Sequence, residues 1–163
     1  INTRKVKKEF NIALMAFVDA RKKEGNKIKK VLIKKINSLE VAVLKISKVN
    51  KVSQKKRLKV FKLKIANLIK DLDETRVNQE IALLALKHDV SEELDRIIFH
   101  TKSMNQELKK QSCSGKKIDF ILQELFREAN TLSVKLDDPN SKNLALDAKL
   151  LVEEMREQIQ NVE

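Results

Sequence analysis

Apolar residues return every three or four positions along almost the whole chain, the spacing of one buried helix face. Ile28, Leu32, Ile36, Leu39, Val43 and Ile46 form one such stripe, and Leu58, Phe61, Ile65, Leu68 and Leu72 form another. The first stripe predicts one long helix over roughly the first 48 residues, eased at Gly25. The polar stretch from Val49 to Lys56 is the first candidate turn, and a second long helix is expected from about Gln54 to beyond Ala85. Stripes of this kind suit an antiparallel coiled-coil hairpin.

Beyond residue 86 the helices become shorter and their ends easier to place. Asp89 or Ser91 can cap a helix whose first turn carries Glu92 and Glu93, where the helix dipole favours anions. Its inward stripe is Leu94, Ile97, Thr101, Met104 and Leu108, and the run Gln111 to Gly115 breaks it. A further helix follows with Ile118, Ile121, Leu122, Leu125, Ala129 and Leu132 inward. Asp137 to Ser141 is a loop into the last helix, with stripe Leu144, Ala148, Leu151, Met155, Ile159 and Val162. The expected fold is all-α: a long antiparallel helical hairpin followed by a small helical bundle. The expected division is 1–86 for the basic hairpin and 87–163 for the C-terminal helical domain, with a motif segment at 115–135.

Composition agrees with long helices. The 163 residues include 2 Gly and 1 Pro, too few for the turns of a sheet protein of this size. With 42% hydrophobic and 36% charged residues, the chain is too apolar for disorder and too charged for a membrane protein. No apolar run approaches the ~20 residues that span a bilayer. The chain opens on Ile1 rather than Met, as a fragment would, and its single Cys113 suits a reducing compartment, so the expected location is cytoplasmic.

Charge is unevenly spread. Residues 1–70 hold 22 Lys and Arg against 4 Asp and Glu, whereas 71–163 hold 13 against 19. A basic half beside an acidic half points to a polyanionic partner for the first, although a lysine-coated helix surface gives the same count. With no Trp or Tyr and 6 Phe, stacking of bases on an aromatic platform is not expected, so RNA contacts would fall on phosphates.

No phosphate-binding glycine loop, CxxC, HExxH or GxSxG motif is present. Glu124 and Glu128 stand four apart on one helix, a spacing that puts two carboxylates on a common face. Such a pair can share a divalent cation, or it can be half of an ordinary ion-paired surface. Arg127, one turn away, can grip a phosphate or neutralise them. Asp89, Glu92, Glu93 and Asp95 form a second acidic cluster. Glu92, Arg96 and His100 follow one another at four-residue steps, and His100 is a candidate base or ligand. His88 has no such neighbours, and Cys113 has only lysines near it in sequence.

The C-terminal ~90 residues resemble the YicC family of endoribonucleases. The resemblance rests on Gln79 to Ala85, on Asp89-Val90 with Glu92 to Arg96 and His100, and on Gly115 to Phe120 running into Gln123-Glu124. It continues through Arg127 to Leu132 and Lys135, and closes on Met155 to Glu163. Residues around Ala20 to Gly25 match more weakly. The resemblance implies divalent-metal-dependent cleavage of single-stranded RNA, with Mg2+ or Mn2+, in a ring-like homo-oligomer, a hexamer. Family members carry an N-terminal α/β half before this helical region. Two positions depart from the family pattern: Phe126 stands where the family has Asn, and Val134 where it has Ser. On these grounds the chain alone is expected to be a weak or inactive nuclease.

The site expected on the marked positions has Glu124, Glu128 and His100 as catalytic candidates. Glu124, Glu128, Asp89, Glu92 and Glu93 are the metal candidates, and Arg96, Lys116, Lys117, Arg127 and Lys135 the RNA-binding cations. The expected partners are RNA and further copies of the chain, with no membrane. The alternative is a helical domain that binds RNA or drives oligomerisation and does no chemistry.

Overall fold

The computed structural model describes residues 3–68, 74–87 and 89–160. Five α-helices account for nearly all of them: α1 (Thr3–Leu68), α2 (Glu74–Lys87), α3 (Ser91–Lys109), α4 (Gly115–Lys135) and α5 (Pro139–Gln160). No strand occurs among the described residues, and the fold is all-α.

The expected turn at 49–56 is absent. α1 runs as one helix of 66 residues, about 100 Å at 1.5 Å per residue. Polarity alone does not end a helix, and between Gly25 and Gly115 the sequence has neither Gly nor Pro. The polar stretch marks instead where α1 leaves the core. There the Arg57 guanidinium donates to Asp137 at 3.2 Å and to the buried Asn50 side chain at 3.5 Å. Gly25 does not interrupt α1 either. The second arm of the hairpin is therefore short: α2 begins at Glu74 and packs against α1. Leu72 lies outside the described residues, as do the side chains of Ile65 and Leu68.

The core is a four-helix bundle. α1 packs on α3 and α5, and α4 packs on the same two helices. Leu32, Ile36, Leu39, Val43 and Ile46 of α1 interlock with Ile97 and Met104 of α3, Leu122, Leu125 and Leu132 of α4, and Val152 and Met155 of α5. The expected stripes of α3 and α4 are buried in full. In α5 the buried line is turned slightly, through Ala145, Ala148, Val152, Met155 and Ile159, with Leu144 and Leu151 at its edge and Val162 outside the described residues. Packing crosses the boundary expected at residue 86, because the middle of α1 is a wall of this bundle.

The helix ends follow local chemistry. Asp89 accepts a hydrogen bond from the Ser91 amide at 2.9 Å and so opens α3. At α5, the Asp138 carboxylate accepts from the Ser141 amide at 2.9 Å and its hydroxyl at 3.0 Å. Pro139 occupies the first helical position, where its missing N–H would have had no intrahelical partner.

Candidate functional site

Six of the positions marked in sequence, Asp89, Glu92, Glu93, Arg96, Glu128 and Lys135, meet at the seam between the start of α3 and the second half of α4. Arg96 of α3 bridges two carboxylates, pairing with Glu92 one turn back and, at 3.3 Å, with Glu128, 32 residues away on α4. The Glu128 carboxylate accepts from it and adds to Glu92, so the Arg96 guanidinium is held above its usual pKa. Glu128 is 5% exposed, so its charge is tolerated because Arg96 reaches it.

A second bridge lies beside the first. Lys135, near the end of α4, donates to Glu93 at 2.7 Å and to the Asp89 carbonyl at 3.3 Å, 42 and 46 residues away. Glu93 is buried, and among the described residues its second carboxylate oxygen has no hydrogen-bond partner. Asp89 itself is pushed below the ordinary carboxylate range. The hydrogen bonds from the Ser91 hydroxyl and amide dominate, and Lys135 adds to them.

The proposed carboxylate pair of Glu124 and Glu128 is divided by the core boundary. Four residues on a helix return to a position about 40° off. Glu128 falls on the buried side of that offset and pairs with Arg96, whereas Glu124 is half-buried and pairs with Arg127 at 3.7 Å. Arg127 is exposed. His100 sits one turn beyond Arg96, half-buried, with its ring edge-on to Phe99 at 5.4 Å between centroids. His88 lies outside the described residues. Lys116 and Lys117 are not at this seam: Lys117 pairs with Glu107 at 3.1 Å at the other end of α3, and Lys116 is exposed beside it.

A divalent cation needs several oxygen ligands that are not already neutralised. Here Glu92 and Glu128 are held by Arg96, Glu93 by Lys135 and Glu124 by Arg127. Among the described residues no three His, Cys, Asp or Glu come together as a ligand set. Asp89 accepts from Ser91, so among the described residues the seam carboxylates face basic side chains or a helix start rather than one another, and they present no ready ligand set for a metal.

Phe126 does not face the seam. It is half-buried against α5, with the Lys149 ammonium 5.2 Å and the Arg156 guanidinium 5.6 Å from its ring centre. Two residues on a helix are about 200° apart, so Phe126 and Glu128 serve opposite neighbours. Val134 is exposed.

One charged position escaped the sequence reading. Glu107 is buried, held by Lys110 at 2.6 Å and Lys117 at 3.1 Å, and it accepts the Ser114 amide at 3.5 Å. The Lys110 hydrogen bond leads in lowering its pKa to about 2, against the desolvation that opposes it. The signal was available in part: Glu107 flanks the inward stripe of α3 beside Leu108, and two lysines follow at positions 110 and 117.

Comparison with known proteins places this geometry. Residues 45–163 match the family model described as Endoribonuclease YicC-like, C-terminal. The chain is 39% identical over 155 residues to a probable endoribonuclease YicC of Haemophilus influenzae, covering 94% of this chain and 54% of that protein. It is 33% identical over 154 residues to a probable endoribonuclease YicC of Clostridioides difficile, covering 93% of this chain and 53% of that protein. The chain thus spans about half the length of the curated relatives it matches. Among the described residues no helix is long and apolar enough to cross a membrane. Residues 32 and 42 apart in sequence meet at one seam, inside the stretch that the family model matches, and the chain belongs to the family of YicC-like endoribonuclease C-terminal regions.

Proposed function

We propose that this chain acts on single-stranded RNA as the helical part of an endoribonuclease, with the α3–α4 seam as its working surface. The observation that supports this most is the pair of inter-helix bridges, Arg96 to Glu128 and Lys135 to Glu93, which draws the family's marked positions into one place. Arg96 and Arg127 are more than half exposed; Arg127 offers a guanidinium fork that suits a phosphodiester, and Arg96, whose terminal nitrogens hold Glu92 and Glu128, meets one by exchanging a carboxylate for it. Glu124 and His100 are partly exposed and are the candidates for proton transfer. Glu128 is too buried to meet a strand, and its part is to hold Arg96 in place.

The family resemblance implies a divalent cation. Because the seam does not present a free ligand set, no step is assigned to one. The same fact favours the second reading, a domain that grips RNA without cutting it. A cleavage assay on single-stranded RNA, with and without Mg2+ or Mn2+, separates the two. Under the first reading Glu124→Ala and His100→Ala each slow cleavage by about 10²-fold or more with helicity unchanged. Because the chain spans about half the length of its relatives, the deciding assay uses a chain extended to their full length, and RNA bound but left intact there under every condition would replace the first reading with the second. Under both, raising salt from about 50 to 200 mM weakens binding by roughly 10³ if about six phosphates are contacted, and salt-indifferent affinity would refute phosphate recognition.

The assembly expected of the chain is a homo-oligomer. Val6, Phe10 and Phe17 lie exposed along the first turns of α1, the first of them among basic residues at positions 4, 5, 7 and 8, and the second half of the chain is acidic. Such surfaces pair between copies. Light scattering that reports a clean monomer at tens of micromolar would end this reading.

A further inference from the structure

The chain has two glycines, and both line the same cleft. This cleft, about 380 Å³, lies where α1 meets the break between α3 and α4, on residues outside the α3–α4 seam. Gly25 is in the interior of α1 and Gly115 is the first residue of α4. Neither has a positive φ, and a side-chain carbon built on either would meet nothing within 4 Å. No turn and no crowding therefore calls for glycine at these positions, while helices disfavour it. What two glycines on facing walls do accomplish is to leave the backbone open to something that comes close.

The chemistry of the walls says what that is. Lys22, Gly25 and Lys29 follow at steps of three and four, so one face of α1 presents a cation, a gap and a cation. Among the described residues neither lysine has an ion-pair partner, and no acid lines the cleft. Lys110 stands on the opposite wall, its ammonium held by Glu107. The floor is aliphatic, made by Leu32, Leu108 and Ile118. The volume falls at the lower end of the ~300–1,000 Å³ of small-ligand sites.

We infer that this cleft binds a nucleotide unit, its phosphate between Lys22 and Lys29 and its base and sugar over the aliphatic floor, with Gly25 and Gly115 left bare to admit them. The choice of a nucleotide over another phosphate-bearing amphiphile rests on the RNA reading above. The unit is either one residue of a strand or a free mononucleotide.

Cys113 lines the cleft and is the single cysteine, so its alkylation reports occupancy. The experiment measures the alkylation rate of Cys113 in the full chain with a 5′-phosphorylated single-stranded tetranucleotide, with adenosine 5′-monophosphate, and with neither. Protection by the tetranucleotide alone makes the cleft part of a strand track, and protection by both makes it a nucleotide pocket. Either result supports the proposal. Gly25→Leu should weaken tetranucleotide binding about tenfold or more while its melting temperature holds or rises. Lys22→Gln with Lys29→Gln should do the same. Affinity within about twofold of wild type in the folded Gly25→Leu protein overturns the inference. So does protection that follows protein concentration and ignores both probes, which would give the cleft to a second copy of the chain. Tetranucleotide affinity that is unchanged with Cys113 alkylated refutes the cleft and spares the nuclease reading. Protection by the probes supports the cleft whether or not RNA is cut, and absence of cleavage in a chain extended to the length of its relatives refutes the nuclease reading alone.

Discussion

α1 contains two regions built from the same kind of sequence and treated differently by the fold. From Leu32 to Ile46 its apolar stripe is covered by α3, α4 and α5, and residues such as Ile36 and Leu39 have no exposed surface. From Thr3 to Lys27 every residue is exposed, although Val6, Phe10 and Phe17 recur at comparable steps. Phe10 keeps 64% of its surface in solvent. Periodicity thus shows that a helix has a face to cover and leaves open what covers it.

The sharpest way to test that contrast is to truncate one side chain in each region. Leu39→Ala removes a fully buried side chain and should cost about 2–5 kcal/mol in urea unfolding. Phe10→Ala should change the folding stability of the bundle by no more than ~0.5 kcal/mol. If self-association uses the arm, the same change should lower the oligomer mass. Equal stability losses at the two positions would mean that the arm is covered as the bundle is.

A smaller effect is expected at the seam. Arg96→Ala leaves Glu128 buried without its partner and should cost about 1–3 kcal/mol. Arg96→Ala with Glu128→Gln should recover part of that loss, because the stranded charge goes with its partner. No recovery in the double variant would mean that Arg96 stabilises by some other contact.

Glu107, buried in α3, gives the bundle a pH signature. Its folded pKa is depressed to about 2 from an ordinary 4.5, so it binds its proton less readily when folded. Its contribution is therefore complete above about pH 4.5 and fades as pH falls toward 2. Unfolding between pH 5 and pH 2 should show a shallower loss of stability in Glu107→Gln than in wild type. Parallel curves would remove Glu107 from the acid response.

The least effect is expected from the exposed pair of Arg127 and Glu124. At 3.7 Å, with Arg127 74% exposed, its loss in Arg127→Ala should cost at most about 0.5 kcal/mol. A larger change would show that Arg127 is covered in the working form of the protein.

The bundle was legible in the sequence wherever a stripe and a break came together. The stripes of α3 and α4 lie between Asp89, the Gln111–Gly115 break and the Asp138-Pro139 start of α5, and those marks are local. The path of α1 was misread because Val49 to Lys56 is polar, while helix ends are set by caps and breakers. At the seam, Arg96 and Glu92 were legible as neighbours one turn apart. The bonds from Arg96 to Glu128 and from Lys135 to Glu93 were not, since they depend on how α3 lies along α4. Likewise the burial that separates Glu128 from Glu124 comes from packing, which four-residue spacing does not encode. The cleft at Gly25 and Gly115 joins residues 90 apart, and nothing local marks them as partners.

The unbroken course of α1 has a mechanical consequence. Between Thr3 and the first fully covered residue, Leu32, the helix projects for about 44 Å without a joint. A straight helix amplifies rotation: a tilt of about 5° at Leu32 carries Thr3 through about 4 Å. Whatever touches α1 near Thr3 is thereby geared to the bundle, and a change of packing too small to notice at Leu32 becomes a step of atomic size there.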